Sequence, residues 1–343
     1  MSTQIQEPIT RMEYKPEMPR WQRIAYIVAS STRNRARYSL GKISSFSGST
    51  SHRFSVGQSV TYLRQVFADF CQYGKLEAET IAGKTVLELG PGDNIGVLLQ
   101  FLAHGASRAW ACDKFYSEHD KEHEKKIYLE LREDFSGEQR RRFDEAVDLS
   151  GPLQFNEEKL SYAYGVGAQD ADTLVPPGSI DILVSRGVLQ EVYEIDRAFA
   201  GIDRLVADGG MMVHKVDLRD YGMFSSVGFH PREFLTVSDS VYHQMAYDTD
   251  KPNRRMLDYY RAKMKELGYD FEAYCTSIID LDGYRAIQTE IIPHKLTLEP
   301  GVDYGPEHEE AIRQVRPRLA PRFRSLTDEE LLAAGVFLVA RKR

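Results

Sequence analysis

One stretch constrains this chain more than any other: Val86-Leu87-Glu88-Leu89-Gly90-Pro91-Gly92-Asp93-Asn94-Ile95-Gly96. An apolar run meets two closely spaced glycines, and an apolar helical pattern (Val97, Leu98, Phe101, Leu102) follows at once and stops at Gly105. The order reads strand, tight loop, helix, with a glycine suited to the left-handed cap at the end. Glycines at the end of a strand let the backbone approach a ligand closely, and the N–H groups that open the next helix are donors. Such a turn is built for a nucleotide-type ligand. The dinucleotide fingerprint Gly-x-Gly-x-x-Gly nevertheless fails at its third position, which is Ile95, and the next glycine comes one residue late. A nicotinamide-dependent oxidoreductase is disfavoured on that ground.

The rest of the chain repeats the pattern. Ala109 to Asp113 follows as a second strand, so that strand, helix and strand form a right-handed parallel unit with Asp113 at its end, in reach of ribose hydroxyls. Leu160 to Gly165 reads as a third strand, and Ile180 to Ser185, entered from the Pro176-Pro177-Gly178-Ser179 turn, as a buried fourth. A helix over Arg186 to Asp208 then leads to a fifth strand at Met211 to Leu218. Asn253 to Leu267 reads as a helix, Phe271 to Ile279 as a sixth strand and Gly335 to Arg341 as the last. Ahead of the first strand, Val60, Leu63, Val66, Phe67 and Phe70 form a helical stripe, a packing helix.

No Asp or Glu occurs from Met18 to Ala68, while Arg20, Arg23, Arg33, Arg35, Arg37, Lys42, Arg53 and Arg64 all do. Trp21, Ile24, Ile27 and Val28 recur at helical spacing in this basic region, ahead of a Ser- and Gly-rich connector near Ser44 to Ser51. It reads first as a helical cap, and alternatively as an arm for anionic lipid headgroups or an acidic substrate. The net charge of -7 argues against general nucleic-acid affinity. Three scattered cysteines without a Cys-x-x-Cys pair fit a reducing, cytoplasmic setting. No stretch approaches the roughly 18 apolar residues of a membrane span. His119 and His123 sit four apart but in charged surroundings unlike a zinc helix, and no metal is predicted.

Taken in order, Val86 to Gly92, Asp113, Asp170-Ala171-Asp172-x-Leu174, Ile180 to Ser185, Val188-Leu189 and the Gly209-Gly210 before a strand resemble the motifs of class I S-adenosylmethionine-dependent methyltransferases. The resemblance covers about residues 80 to 280 plus the final strand. Gly90 to Gly96 and His214-Lys215-Val216-Asp217-Leu218-Arg219-Asp220 also look like a bacterial subgroup linked to glycan or secondary-metabolite genes. The resemblance implies a Rossmann-like α/β fold with a seven-stranded, mostly parallel sheet and an antiparallel last strand. An N-terminal helical extension (1–80) would precede a core (81–281) holding a lid-like insertion (219–253); a second insertion (282–328) and a final strand (329–343) would follow. Position by position, Glu88, Gly90 and Gly92 would face the methionine part of S-adenosylmethionine, Asp113 the ribose, Lys114 or Phe115 the adenine face, and Asp170 and Ala171 the adenine edge. Asn94 and Ser185 would also line the cofactor, and because Asn94 stands where the family has a third glycine, the contact to the cofactor's carboxylate is left unassigned.

Methyl transfer to a hydroxyl needs a proton acceptor, an amine needs less, and alignment supplies much of the rate. Asp217, His230 and His214 are the candidate catalytic groups; Arg186, Arg219, Asp220 and Tyr221 are candidate acceptor-binding groups. Asp217 and Asp220 are alternatively ligands for a magnesium ion, which is admitted rather than predicted. The expected reaction is O-methylation of a hydroxylated small molecule or sugar-containing acceptor by in-line displacement. N- or C-methylation of a natural product and a non-catalytic cofactor-fold binding protein are the alternatives.

Overall fold

The runs of branched apolar residues become strands, as their burial on both faces requires. In chain order they are β1 (Thr85–Leu89), β2 (Arg108–Asp113), a short hairpin of β3 (Val147–Asp148) and β4 (Gln154–Phe155), β5 (Leu160–Tyr164), β6 (Ile180–Arg186), β7 (Val206–Asp217), β8 (Asp270–Ile278), β9 (Leu296–Thr297) and β10 (Ala333–Arg341). The computed structural model describes residues 15–40, 54–115, 119–279, 296–297 and 306–343. The expected connector near Ser44 to Ser51, Lys42, Arg53 and part of the expected insertion over 282–328 (282–295 and 298–305) lie outside the described residues.

The main sheet runs β5-β2-β1-β6-β7-β10-β8-β9, with the hairpin apart from it. β1 pairs in parallel with β2 and β6, β2 with β5, and β6 with β7. Leu218 N–H donates to Ala334 O and Lys342 N–H to Gly210 O, so β10 runs antiparallel to β7. The expected Rossmann-like sheet of seven long strands with a reversed last strand is therefore present, and a two-residue strand, β9, adds to β8. Because chain order reverses between β1 and β6, the crevice outside their carboxyl ends is where such a sheet binds ligands.

Two boundaries differ from the sequence pattern. The helix expected over Arg186 to Asp208 is only Ile195–Leu205, because Gly187 adopts φ +72° and its N–H is taken by Lys215 O, which breaks the helix at its start. β7 begins at Val206 rather than Met211, its pairing with β6 jumping from Ile180–Val206 to Ile182–Met211 across Gly209 (φ +75°), a bulge that glycine permits.

The chain divides into two compact units. The larger holds Ala36–Val216, Arg261–Ala273 and Phe337–Arg343. Its centre is the helix Gly96–Ala103, buried on every side, as an apolar helix without a polar face must be. The helix Val56–Gly74 lies on it through Phe67 and Phe101, whose rings meet edge to face at 5.0 Å, and through Gln100 Nε2 donating to Leu63 O at 3.0 Å.

The smaller unit gathers three distant stretches: the chain up to Arg35, Asp217–Tyr260 and the described part of 274–336. The first part of the helix Arg20–Ser39 is tied in by its arginines: Arg20 to Glu233 at 2.7 Å, Arg23 to Gly222 O at 2.9 Å and Arg35 to Gln244 O at 3.1 Å. Within this unit, Arg20, Arg23 and Arg35 are thus engaged in contacts with the chain's own residues. Fully buried Arg232 gives its guanidinium to the carbonyl oxygens of Leu331 (2.8 Å), Leu218 and Ala333. Hydrogen bonds to a charged donor are the strong ones, and none of these carbonyls has water at hand if the donor goes. Arg232→Met, which keeps the apolar stem, is expected to lower stability by about 3 kcal/mol or more in urea unfolding; an unchanged midpoint would mean the carbonyls find other donors.

Candidate functional site

Within the larger unit, β1 ends in the glycine turn. Gly90 has φ +67° and Gly92 φ +72°, and a Cβ on Gly90 would lie 2.4 Å from Val188 Cγ2, so both the backbone angle and the space demand glycine there. Gly90 N–H donates to Cys112 O at 2.8 Å, which locks the turn to the end of β2. Asp113 completes the lock, one carboxylate oxygen accepting from Gly92 N–H at 3.2 Å and the other from Phe115 N–H at 2.9 Å. Burial pushes the Asp113 carboxyl up, opposed by these N–H donors and by His119. Asp113 O also accepts from Val166 N–H at 3.1 Å, which draws in the 3-10 turn Ala168–Thr173. Ala171 is buried in that turn, while the Asp170 carboxylate is ion-paired with Arg197. Lys114 lies 5.4 Å from the Phe115 ring, which in turn packs against Tyr38 at 5.2 Å.

Two of the amides that open the following helix are spoken for. Asn94 Oδ1 accepts from Gly96 N–H at 2.8 Å, and Tyr128 Oη accepts from Ile95 N–H at 3.3 Å. Gly96, the glycine one residue late, owes its identity to packing: a Cβ there would meet Leu63 Cδ1 at 2.6 Å. Two of the amides at the helix opening, where a dinucleotide's diphosphate would rest, are thus already taken.

Beneath the turn stands Glu88. It is 5% exposed, and its Oε2 has no hydrogen-bond partner among the described residues. Burial, with the nearby Asp113 carboxylate, pushes its carboxyl up to about 8. A buried carboxyl with an orphaned oxygen calls for a cationic or donating ligand. Arg186, at the end of β6, donates from Nη1 to Asp69 Oδ2 at 2.8 Å, and its guanidinium lies 5.9 Å from the Tyr62 ring. Tyr62 and Asp69 both come from the helix Val56–Gly74, which the sequence pattern presents only as a packing element. A signal for Asp69 was available: it is the first acid after the acid-free run and it sits among the buried residues of that helix.

Ser185 and His214 stand elsewhere. Glu88 pairs with Val184 and Leu89 with Ser185, while Ser185 pairs with His214. Side chains alternate along a strand, so Ser185 and His214 face away from Glu88 and Arg186. Ser185 Oγ and His214 Nδ1 are hydrogen-bonded at 2.7 Å, and burial pushes the imidazole down to about 3. This corrects both expectations: Ser185 does not share the face of Glu88, and His214 is a neutral core histidine.

In the smaller unit, Asp217 is bound by Arg219, with Nε to Oδ1 at 2.7 Å. Asp220 is fully buried and accepts from the N–H groups of Gly222, Phe224 and Ser225 and from Ser225 Oγ, so it organises its own loop. Tyr221 adopts φ +51° within that loop. His230 Nε2–H donates to Ala311 O at 2.8 Å and its Nδ1 accepts from Arg232 N–H at 2.9 Å, and burial pushes it down to about 4. With both ring nitrogens used, His230 holds structure and is withdrawn as a base. Asp220 is spent on its own loop, Asp217 is held by Arg219, and among the described residues no group of three His, Cys, Asp or Glu side chains is arranged to hold a metal ion. No helix of the described residues is long and apolar enough to cross a membrane.

No family model matches the chain, and no curated protein does. Solved structures do. The [4+2]-cyclase SpnF is 14% identical, with 94% of this chain and 93% of that one covered and a TM-score of 0.41. Phosphoethanolamine N-methyltransferase 2 from Haemonchus contortus, in complex with S-adenosyl-L-methionine, is 13% identical over 80% of this chain and 60% of that one, at a TM-score of 0.37. An S-adenosylmethionine dependent methyltransferase from Mesorhizobium loti is 15% identical over 78% and 98%, at 0.34. Likeness at this level concerns the course of the backbone, so the chemistry rests on this chain's own residues.

Because the folded Glu88 carboxyl titrates near 8 and the unfolded one near 4.5, the folded chain keeps a proton that the unfolded chain gives up between those values. The associated stability is present below pH 4.5 and is lost as pH rises to 8. Glu88→Gln, which does not titrate, is expected to melt higher than the parent at pH 8 and at the same temperature near pH 4; equal melting at both pH values would mean that Glu88 ionises as in water.

Proposed function

We propose that this chain is an S-adenosylmethionine-dependent methyltransferase. One observation carries the reading: the glycine turn that would receive the ligand stands over a buried carboxyl with an orphaned oxygen, and the N–H groups of Ile95 and Gly96 at its helix opening are occupied. That environment opposes a diphosphate and suits an ammonium-bearing ligand. Asp113, at the end of the neighbouring strand, offers acceptors for ribose hydroxyls, and the turn carrying Asp170 and Ala171 offers an acceptor and a backbone donor to a base. When bound, S-adenosylmethionine supplies a methyl group already activated on a sulfonium sulfur. What this chain does is hold the ligand's amino acid end at Glu88, its ribose at Asp113, and so fix where an acceptor must align.

The acceptor we propose is a hydroxylated small molecule or a sugar-containing compound. Support comes from the polar and aromatic make-up of 219–253 and from Asp217, which Arg219 orients as a proton acceptor. Arg219 and Tyr221 are the remaining candidates for holding it.

Isothermal titration with S-adenosylhomocysteine tests the cofactor. Binding should be weakened about tenfold or more by Asp113→Ala, the loss of two charge-assisted acceptors, and NADH should not bind. Stabilisation by NADH in place of S-adenosylhomocysteine would sink the proposal, and cofactor binding without turnover on a broad acceptor panel would point to a binding role instead. Asp217→Asn should depress turnover while leaving cofactor affinity in place.

A further inference from the structure

We propose that Arg186 is the receptor for the carboxylate of the cofactor's amino acid tail, so that the tail is clamped as a zwitterion between Glu88 and Arg186, with Asp69 as the residue that positions Arg186. The inference rests on the S-adenosylmethionine reading above and assigns within it the one contact that the departure at Asn94 leaves without a partner.

Sheet register places the two groups. Glu88 pairs with Val184 across β1 and β6, and Arg186 follows Val184 by two positions, on the same face. With a rise of ~3.3 Å per residue and a strand spacing of ~4.8 Å, the two Cα atoms lie roughly 8 Å apart. An amino acid head group, with ammonium and carboxylate on one carbon, fits between side chains reaching in from that separation. Both stand at the carboxyl ends of adjacent strands, where chain order reverses and ligands bind.

Two of the alternative donors in the turn are occupied. Ile95 N–H goes to Tyr128 and Gly96 N–H to Asn94, whose side chain is folded back on its own helix. Arg186 is set up for the task by the helix Val56–Gly74. Asp69, 1% exposed, takes Nη1 with one oxygen, while its other oxygen accepts from Gln65 Nε2 at 2.7 Å. Asp69 is thus anchored and holds the guanidinium by one nitrogen, out of a fork with five donors. Tyr62 sits against both sides of the clamp: its phenol is pushed up by burial first, pulled back by Arg186 and raised again by Glu88. In this arrangement each charge has a counterpart once the tail is in place, Glu88 for the ammonium and Arg186 for the carboxylate, with Asp69 balancing the arginine in its absence.

The test compares S-adenosylhomocysteine with its decarboxylated analogue, which keeps the ammonium, by calorimetry on the full chain. The parent should prefer S-adenosylhomocysteine by about tenfold or more. Arg186→Gln should collapse that preference while leaving the analogue's affinity within about twofold, Arg186→Lys should restore part of it through charge alone, and Asp69→Asn should reduce it in the same direction. Melting curves identify any variant that fails to fold, and the lysine variant then carries the comparison. Equal losses for both ligands in Arg186→Gln, or no loss for either, overturn the proposal. If the parent binds neither ligand, the cofactor reading itself has failed and the clamp falls with it; if it binds both equally, only the clamp is wrong.

Discussion

One buried acid sets the chemistry of the glycine turn in the larger unit. Glu88 stands at the end of a central strand where the surrounding residues, Leu87, Leu89, Leu183 and Val184, are wholly apolar, and its Oε2 meets no donor among the described residues. Leaving such a group without a partner costs on the order of 1 to 3 kcal/mol, and the carboxyl responds by keeping its proton. A chain selected for stability alone has no use for it. The same features that make it costly in the folded chain would suit it to an ammonium-bearing partner.

The rest of the turn is consistent with that demand. Gly90 is required because Val188 fills the space where a side chain would be, and Gly92 because its backbone is left-handed and its N–H serves Asp113. Gly96, which a fingerprint search would treat as a misplaced phosphate glycine, makes room for Leu63. Three glycines within seven residues thus have three different physical reasons.

Motif reading was dependable where the chemistry is local. The strands β1, β2, β5, β6 and β10, the glycine turn and Asp113 are legible because apolar runs, turn residues and strand ends are all written in consecutive positions. It was less dependable where the outcome depends on which face a residue takes. His214 and His230 have the right chemistry for a base, yet one is turned to the core beside Ser185 and the other is consumed at both nitrogens by Ala311 and Arg232. Asp220 looks like an acceptor-binding acid and instead collects the amides of its own loop.

By itself the sequence determined the alternation of strands and helices and the place of the glycine turn, since periods of 2 and 3.6 residues and the backbone needs of glycine are properties of short segments; the reversed last strand was what the family resemblance implied. Only the tertiary structure decided what Arg186 does and what Asp69 is for. Their contact spans 117 positions of chain, and the alignment of Arg186 with Glu88 comes from the pairing of β1 with β6, a register that no local pattern encodes. A one-residue shift of that pairing would have turned Arg186 to the opposite face and put Ser185 in its place.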